Sequence, residues 1–114
     1  MLSNGFGKKI DIDSFLRLMK EKARELNFTV HARARCENRT LPESIVENDL
    51  LSGRPLIAFE QESESKNERK FNVYYKQSAG YSHRYVIALN GEVRVITVMR
   101  ISRDMQKLMA GDKK

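Results

Sequence analysis

Apolar positions in the first half of the chain recur at helical spacing, and those in the second half are the β-branched and aromatic residues that strands favour. Between residues 12 and 26, Ile12, Phe15, Leu16, Met19, Ala23 and Leu26 fall on one stripe of an amphipathic helix. Asp11 or Asp13 can cap its start, Asn27 is a plausible stop, and Arg17, Lys20, Lys22 and Arg24 form its wet side. Residues 1–9 read as a loose lead-in, and Phe28-Thr29-Val30 as no more than an extended step. His31 to Asn38 contains no glycine or proline and reads as a short helix. Thr40-Leu41-Pro42-Glu43 is a capping-box pattern: Thr40 caps the next helix and Glu43 returns the bond. That helix is expected to bury Leu41, Ile45, Val46 and Leu50, run to about Leu51 and stop at Gly53.

After Pro55 the pattern turns to strands at 56–61, 70–77, 82–89 and 92–101, rich in β-branched and aromatic residues. Polar residues 61–69 form an exposed loop, and Ser78-Ala79-Gly80 makes a turn. Asn90-Gly91 is a two-residue hairpin signal, since both positions tolerate positive φ. Helices followed by hairpins predict an α+β fold: two to three N-terminal helices on a four-stranded antiparallel meander. A two-residue turn would pair Ala88 with Val93, Val86 with Val95, Tyr85 with Ile96, Arg84 with Thr97, His83 with Val98 and Tyr81 with Arg100. Val86, Val95, Ala88 and Val93 would then meet the helices. The opposite face would carry Tyr81, His83, Tyr85, Arg94 and Arg100.

Length and composition narrow the class. The 114 residues suit one domain, with 102–114 as a basic tail, and 40% hydrophobic with 32% charged residues describes a globular chain. Cys36 is the single cysteine, so an internal disulfide and a multi-cysteine zinc site are excluded; it reads as a small buried hydrophobe. No apolar run reaches the ~20 residues of a membrane span, and the N-terminus lacks the apolar core of a secretory signal. The expected location is therefore the cytoplasm, with no membrane partner. Two histidines without matching ligand spacing imply no metal site, and the scattered glycines imply no nucleotide cofactor.

The net charge of +6 is unevenly placed. Residues 1–40 hold nine Lys/Arg against five Asp/Glu, residues 41–65 one against six, and residues 66–114 eleven against four. Folding that joins the two basic segments would attract a polyanion such as RNA; a solvated basic surface is the other reading. On a helix, His31, Arg35 and Arg39 are spaced by four and share one face. An imidazole beside two guanidiniums suits a phosphodiester: arginine forks hold the phosphate, and histidine moves a proton near neutral pH. Alternatively, Arg35 and Arg39 pair with the acidic helix at 43–49 while His31 packs. Arg33, His83, Arg84, Arg94 and Arg100 are the expected nucleic-acid contacts, with aromatic rings for stacking. Ordinary cross-strand packing of Tyr85 and Ile96 is the competing reading.

The stretch Phe28-Thr29-Val30-His31-Ala32-Arg33-Ala34-Arg35-Cys36-Glu37-Asn38-Arg39-Thr40-Leu41-Pro42-Glu43-Ser44-Ile45-Val46 resembles a prokaryotic domain-of-unknown-function family, number 4258. That family has a His-Ala-x-x-Arg helix, a further arginine, a capped second helix and a closing Val-Ile-Thr-Val-like strand, here Val95-Ile96-Thr97-Val98. The resemblance covers about Asn27 to Ile101, leaving residues 1–27 as an extension. It implies a relation to BrnT and RelE-like toxins, small metal-independent ribonucleases neutralised by an antitoxin. His31, Arg35 and Arg39 match the motif helix and Thr97 the closing strand as catalytic positions; Tyr85 is added from the strand pattern alone. The expected function is an RNA-directed, toxin-like endoribonuclease without cofactors, with RNA and an acidic antitoxin as partners. A non-catalytic nucleic-acid- or protein-binding module of the same fold is the alternative.

Overall fold

The computed structural model describes residues 7–22, 25–38, 41–63, 67–78 and 80–101. In chain order the elements are β1 (Lys8–Ile10), α1 (Ile12–Lys22), β2 (Leu26–Phe28), α2 (Val30–Asn38), α3 (Glu43–Ser52), β3 (Ile57–Gln61), β4 (Arg69–Ser78), β5 (Tyr81–Leu89) and β6 (Val93–Ile101). The fold is α+β, and the described residues form three helices and one six-stranded mixed sheet ordered β1-β3-β4-β5-β6-β2.

Local chemistry explains the helix starts. Asp11 Oδ2 accepts hydrogen bonds from Ser14 N (3.0 Å) and Ser14 Oγ (3.1 Å), which caps α1. Thr29 Oγ1 caps α2 by accepting from Ala32 N at 3.1 Å, and it donates to Ile96 O at 3.3 Å, pinning the helix to β6. Helix α3 begins after Pro42, whose extended backbone (φ −59°, ψ 138°) occupies the cap position and offers no side-chain hydrogen bond. The cap expected at Thr40 therefore sits two residues too early, and Thr40 lies outside the described residues. Ile45, expected in the core, is 37% exposed, while Leu41, Val46 and Leu50 are buried. Gly53 closes the helix, its N–H reaching Asn48 O and Asp49 O.

The central strands β3 to β6 form the antiparallel meander, but a four-stranded antiparallel sheet is too small a description. Two three-residue strands extend it. Residues 8–10, expected as lead-in, pair antiparallel with β3, Lys9 opposite Phe59. Residues 26–28, expected as helix end and extended step, pair parallel with β6, Leu26 opposite Val93 and Phe28 opposite Val95. Neither is long enough to show an alternating pattern, so only the pairing reveals them.

The last hairpin corrects the expected register. Asn90, Gly91 and Glu92 form a three-residue connection, with Gly91 at φ +74°, and Leu89 faces Val93. Three-residue hairpin loops use one left-handed residue, which Gly91 supplies at no steric cost. A one-residue change in register moves every side chain to the other face. Here it places Ile87, Leu89, Val93 and Val95 under the helices instead of Val86 and Ala88. That is the bulkier apolar set, and burial favours it. Past Ile96 the register shifts again, so that Val86 faces Thr97 and Tyr85 faces Val98.

All three helices cover one face of the sheet. Phe15 and Met19 of α1, Ala32 and Cys36 of α2, and Val46 and Leu50 of α3 pack with Ala58, Phe71, Val73, Tyr75, Tyr85, Ile87 and Val98. Phe15 meets Phe71 edge-on, ring centroids 5.4 Å apart. A second cluster, Ile57 and Tyr74 with Leu56, Phe59 and Ile101, lies on the other face.

Candidate functional site

The register decides which expected residues can act together. Tyr81, His83, Tyr85 and Arg100 lie on the helix-covered face, where His83 and Arg100 are direct cross-strand partners. Arg84 and Thr97 point the other way. Arg84 stands opposite Tyr74 and Met99 and hydrogen-bonds the Tyr74 hydroxyl. Thr97 stands opposite Val86, so the sheet separates it from α2 and from Tyr85. Arg94 also departs from the expected grouping: it faces Ala88, and its guanidinium binds Glu68 at 2.7 Å. The single strand face expected to hold Tyr81, His83, Tyr85, Arg94 and Arg100 therefore keeps all but Arg94, and it faces the helices rather than away from them.

On α2 the expected pair does meet. The guanidinium Nε–H of Arg35 donates to Nε2 of His31 at 3.4 Å on the exposed flank of the helix. Ala32 and Cys36, one residue further round, are buried, and burial followed by the nearby Glu43 charge pushes the Cys36 thiol up, so it stays an inert core group. Arg33 is exposed. Arg39 lies outside the described residues.

Tyr85 is not a surface group. It is fully buried, and its hydroxyl donates to Asp49 Oδ2 of α3 at 2.5 Å. Gln77 Nε2 donates to the same oxygen at 2.8 Å. His83 Nδ1 lies 3.0 Å from the Tyr85 hydroxyl. Next along, the Tyr81 ring is 5.9 Å from the His83 ring, and the Arg100 guanidinium sits 4.2 Å over Tyr81. The Tyr75 ring lies 5.5 Å from Tyr85, and its buried hydroxyl has no hydrogen-bond partner among the described residues. A polar chain thus runs from α3 along the helix-side face of the sheet: Asp49, Tyr85, His83, then Tyr81 beneath Arg100.

Burial sets the protonation states of this chain. Desolvation, then the hydrogen bond and charge of Asp49, hold the Tyr85 hydroxyl far above its ordinary range, so it remains a donor. Desolvation, then Asp49, does the same for Tyr75. Burial lowers the His83 imidazole from its ordinary value; the Asp49 charge opposes this and Arg100 adds to it. His83 is therefore neutral near pH 7.

Asp49 was missed by sequence reasoning because it reads as one more acid on an acidic helix. A signal was present: Asp49 follows Val46 by three and precedes Leu50, which sets it at the edge of the buried stripe. A Tyr and a His two apart on a core-facing strand need polar partners once buried. Among the described residues no group of three or more His, Cys, Asp or Glu side chains could hold a metal ion, and no helix is long and apolar enough to cross a membrane. No family model matches the chain, and neither a curated protein nor a solved structure matches it.

Proposed function

We propose that this chain is an RNA-directed protein of the BrnT/RelE-like class that cleaves RNA without a metal ion. The observation that carries the reading is the Arg35–His31 contact: a guanidinium touching an imidazole nitrogen on an exposed helix flank. In the proposed step the RNA 2′-hydroxyl attacks the adjacent phosphorus and its proton passes to His31. The bond to the 5′-oxygen breaks, and that oxygen takes a proton back, leaving a cyclic phosphate and a free hydroxyl. Arg35, with Arg39 four residues on, neutralises the non-bridging oxygens as charge builds. Tyr85 takes no direct part in this scheme because its hydroxyl is spent on Asp49. Thr97 is on the wrong face to join it.

Those same two placements favour a second reading, in which the protein binds nucleic acid or an acidic antitoxin-like protein without turnover. One experiment separates the two. Purified protein is incubated with RNA in chelator beside His31→Ala and Arg35→Ala, and products are resolved on a gel. Cleavage by the unaltered protein, reduced about a hundredfold or more in His31→Ala, is expected for general acid–base work. Equal cleavage by all three, or none by any, sinks the enzyme reading. Salt-sensitive RNA binding without products would establish the binding module.

A further inference from the structure

Counting protons along the buried chain fixes a tautomer. Asp49 Oδ2 receives two donors, Gln77 Nε2 and the Tyr85 hydroxyl, as an ionised carboxylate does. Tyr85 has one hydroxyl hydrogen and gives it to Asp49. Its oxygen can then only accept at the 3.0 Å contact with His83, so the hydrogen there belongs to His83 Nδ1. The imidazole is thereby held as the Nδ1–H form, and Nε2 is a lone-pair acceptor on the residue that pairs across the strands with Arg100.

We infer that His83 Nε2 and Arg100 read a ribose 2′-hydroxyl and its adjacent phosphate, so that this end of the sheet tells RNA from DNA. The inference rests on the RNA-directed reading but uses residues other than His31 and Arg35. An acceptor-only nitrogen requires a donor from its ligand. The 2′-hydroxyl is one, deoxyribose offers none, and a phosphodiester carries no hydrogen of its own. Arg100 supplies the complementary cation, its guanidinium braced on the Tyr81 ring at 4.2 Å. His83 is 5% exposed, which leaves room for a small group such as a hydroxyl rather than a base edge.

The surroundings suit such a contact. Beyond Tyr74 strand β4 has no β3 partner, and beyond Val95 strand β6 has no β2 partner. Among the described residues the sheet narrows there to β4, β5 and β6, and its helix-side face carries Tyr75, Gln77, Tyr81, His83 and Arg100. Asp49 does not face the ligand in this arrangement. It acts through Tyr85, as a positioning residue for the imidazole.

The test compares fluorescently labelled single-stranded RNA and DNA of the same sequence, titrated with the full chain at one salt concentration. RNA is expected to bind about tenfold more tightly, the worth of one additional neutral hydrogen bond. His83→Phe should bring RNA down to the DNA level and leave DNA unchanged. Nitrogen-15 spectra of the unaltered protein give a second, independent readout that does not depend on the variant folding. His83 should carry its hydrogen on Nδ1, and its Nε2 resonance should move with RNA and stay still with DNA. Equal affinity for the two strands, a preference that survives His83→Phe, or an Nε2–H tautomer would each overturn the inference. Equal affinity together with His31-dependent cleavage overturns it while the ribonuclease reading stands; no binding of either strand overturns both.

Discussion

Tyr85 on β5 donates its hydroxyl hydrogen to Asp49 on α3 across 2.5 Å, and the same oxygen is the partner of His83 Nδ1. One buried hydroxyl therefore couples a helix to the sheet and sets the state of an imidazole. Removing it strands two polar groups at once. Tyr85→Phe keeps the ring and its packing on Tyr75 but leaves Asp49 short of a donor and His83 Nδ1 short of an acceptor. The expected cost is about 1–3 kcal/mol of unfolding free energy, measured by urea denaturation. Asp49→Asn added to Tyr85→Phe should cost less than the sum of the two single changes, since they break the same chain.

The buried imidazole gives stability a pH dependence whose sign can be stated. Burial holds His83 below its ordinary value of 6.5 in the folded protein, so the unfolded chain takes up a proton first as pH falls. This contribution is complete above 6.5 and is lost as pH falls from there through the folded-state value. Glu60, lowered first by its hydrogen bond from Arg69, keeps its stabilising effect above 4.5 and does not act in the same window. The denaturation midpoint should fall between about pH 7 and about pH 5.5, and His83→Gln should flatten that fall.

Phe15 anchors α1 to the sheet. Its side chain is fully buried and meets Phe71 edge-on at 5.4 Å. Phe15→Ala should destabilise the protein by about 3–5 kcal/mol, through lost burial and the cavity left under the helix. Denaturation monitored by circular dichroism checks this, and a cost below 1 kcal/mol would contradict the packing described.

Gly7 leads into β1 with φ +101°, and a Cβ there would collide with the backbone carbonyl of Glu60. Gly7→Ala is expected to detach the edge strand rather than unfold the chain. Amide exchange at Ile10 and Ala58 should quicken while exchange at Val73 and Ile87 stays slow. Uniform protection across the sheet in that variant would contradict the close approach.

How much of this was legible depends on whether the signal was local. The helix at 12–22 carries its own periodicity, those at 30–38 and 43–52 their lack of breakers and a start signal, and the four long strands their β-branched and aromatic content, and all were read within a few residues. Strand β2 was not, because three residues cannot display a period and their pairing with Val93–Val95 is remote in sequence. The hairpin was recognised but misregistered, since Asn90-Gly91 is compatible with both a two- and a three-residue loop. Deciding between them requires knowing which apolar set the helices bury. That one slip carried Tyr85 to the face away from the helices. The His31–Arg35 contact was legible because it lies within one helix. The Asp49–Tyr85–His83 chain was not, because it spans 36 residues between α3 and β5.

The two outermost strands of the sheet, β1 and β2, both come from residues 8–28, while everything between them comes from residues 57–101. One short stretch of chain therefore shields both flanks of the sheet, with the lysines of β1 adding charge to one of them. Strand edges left bare are templates for pairing with another molecule. A single cut after residue 28 would bare both flanks together, and a monomer trimmed there would have the makings of a two-ended building block for open-ended self-association.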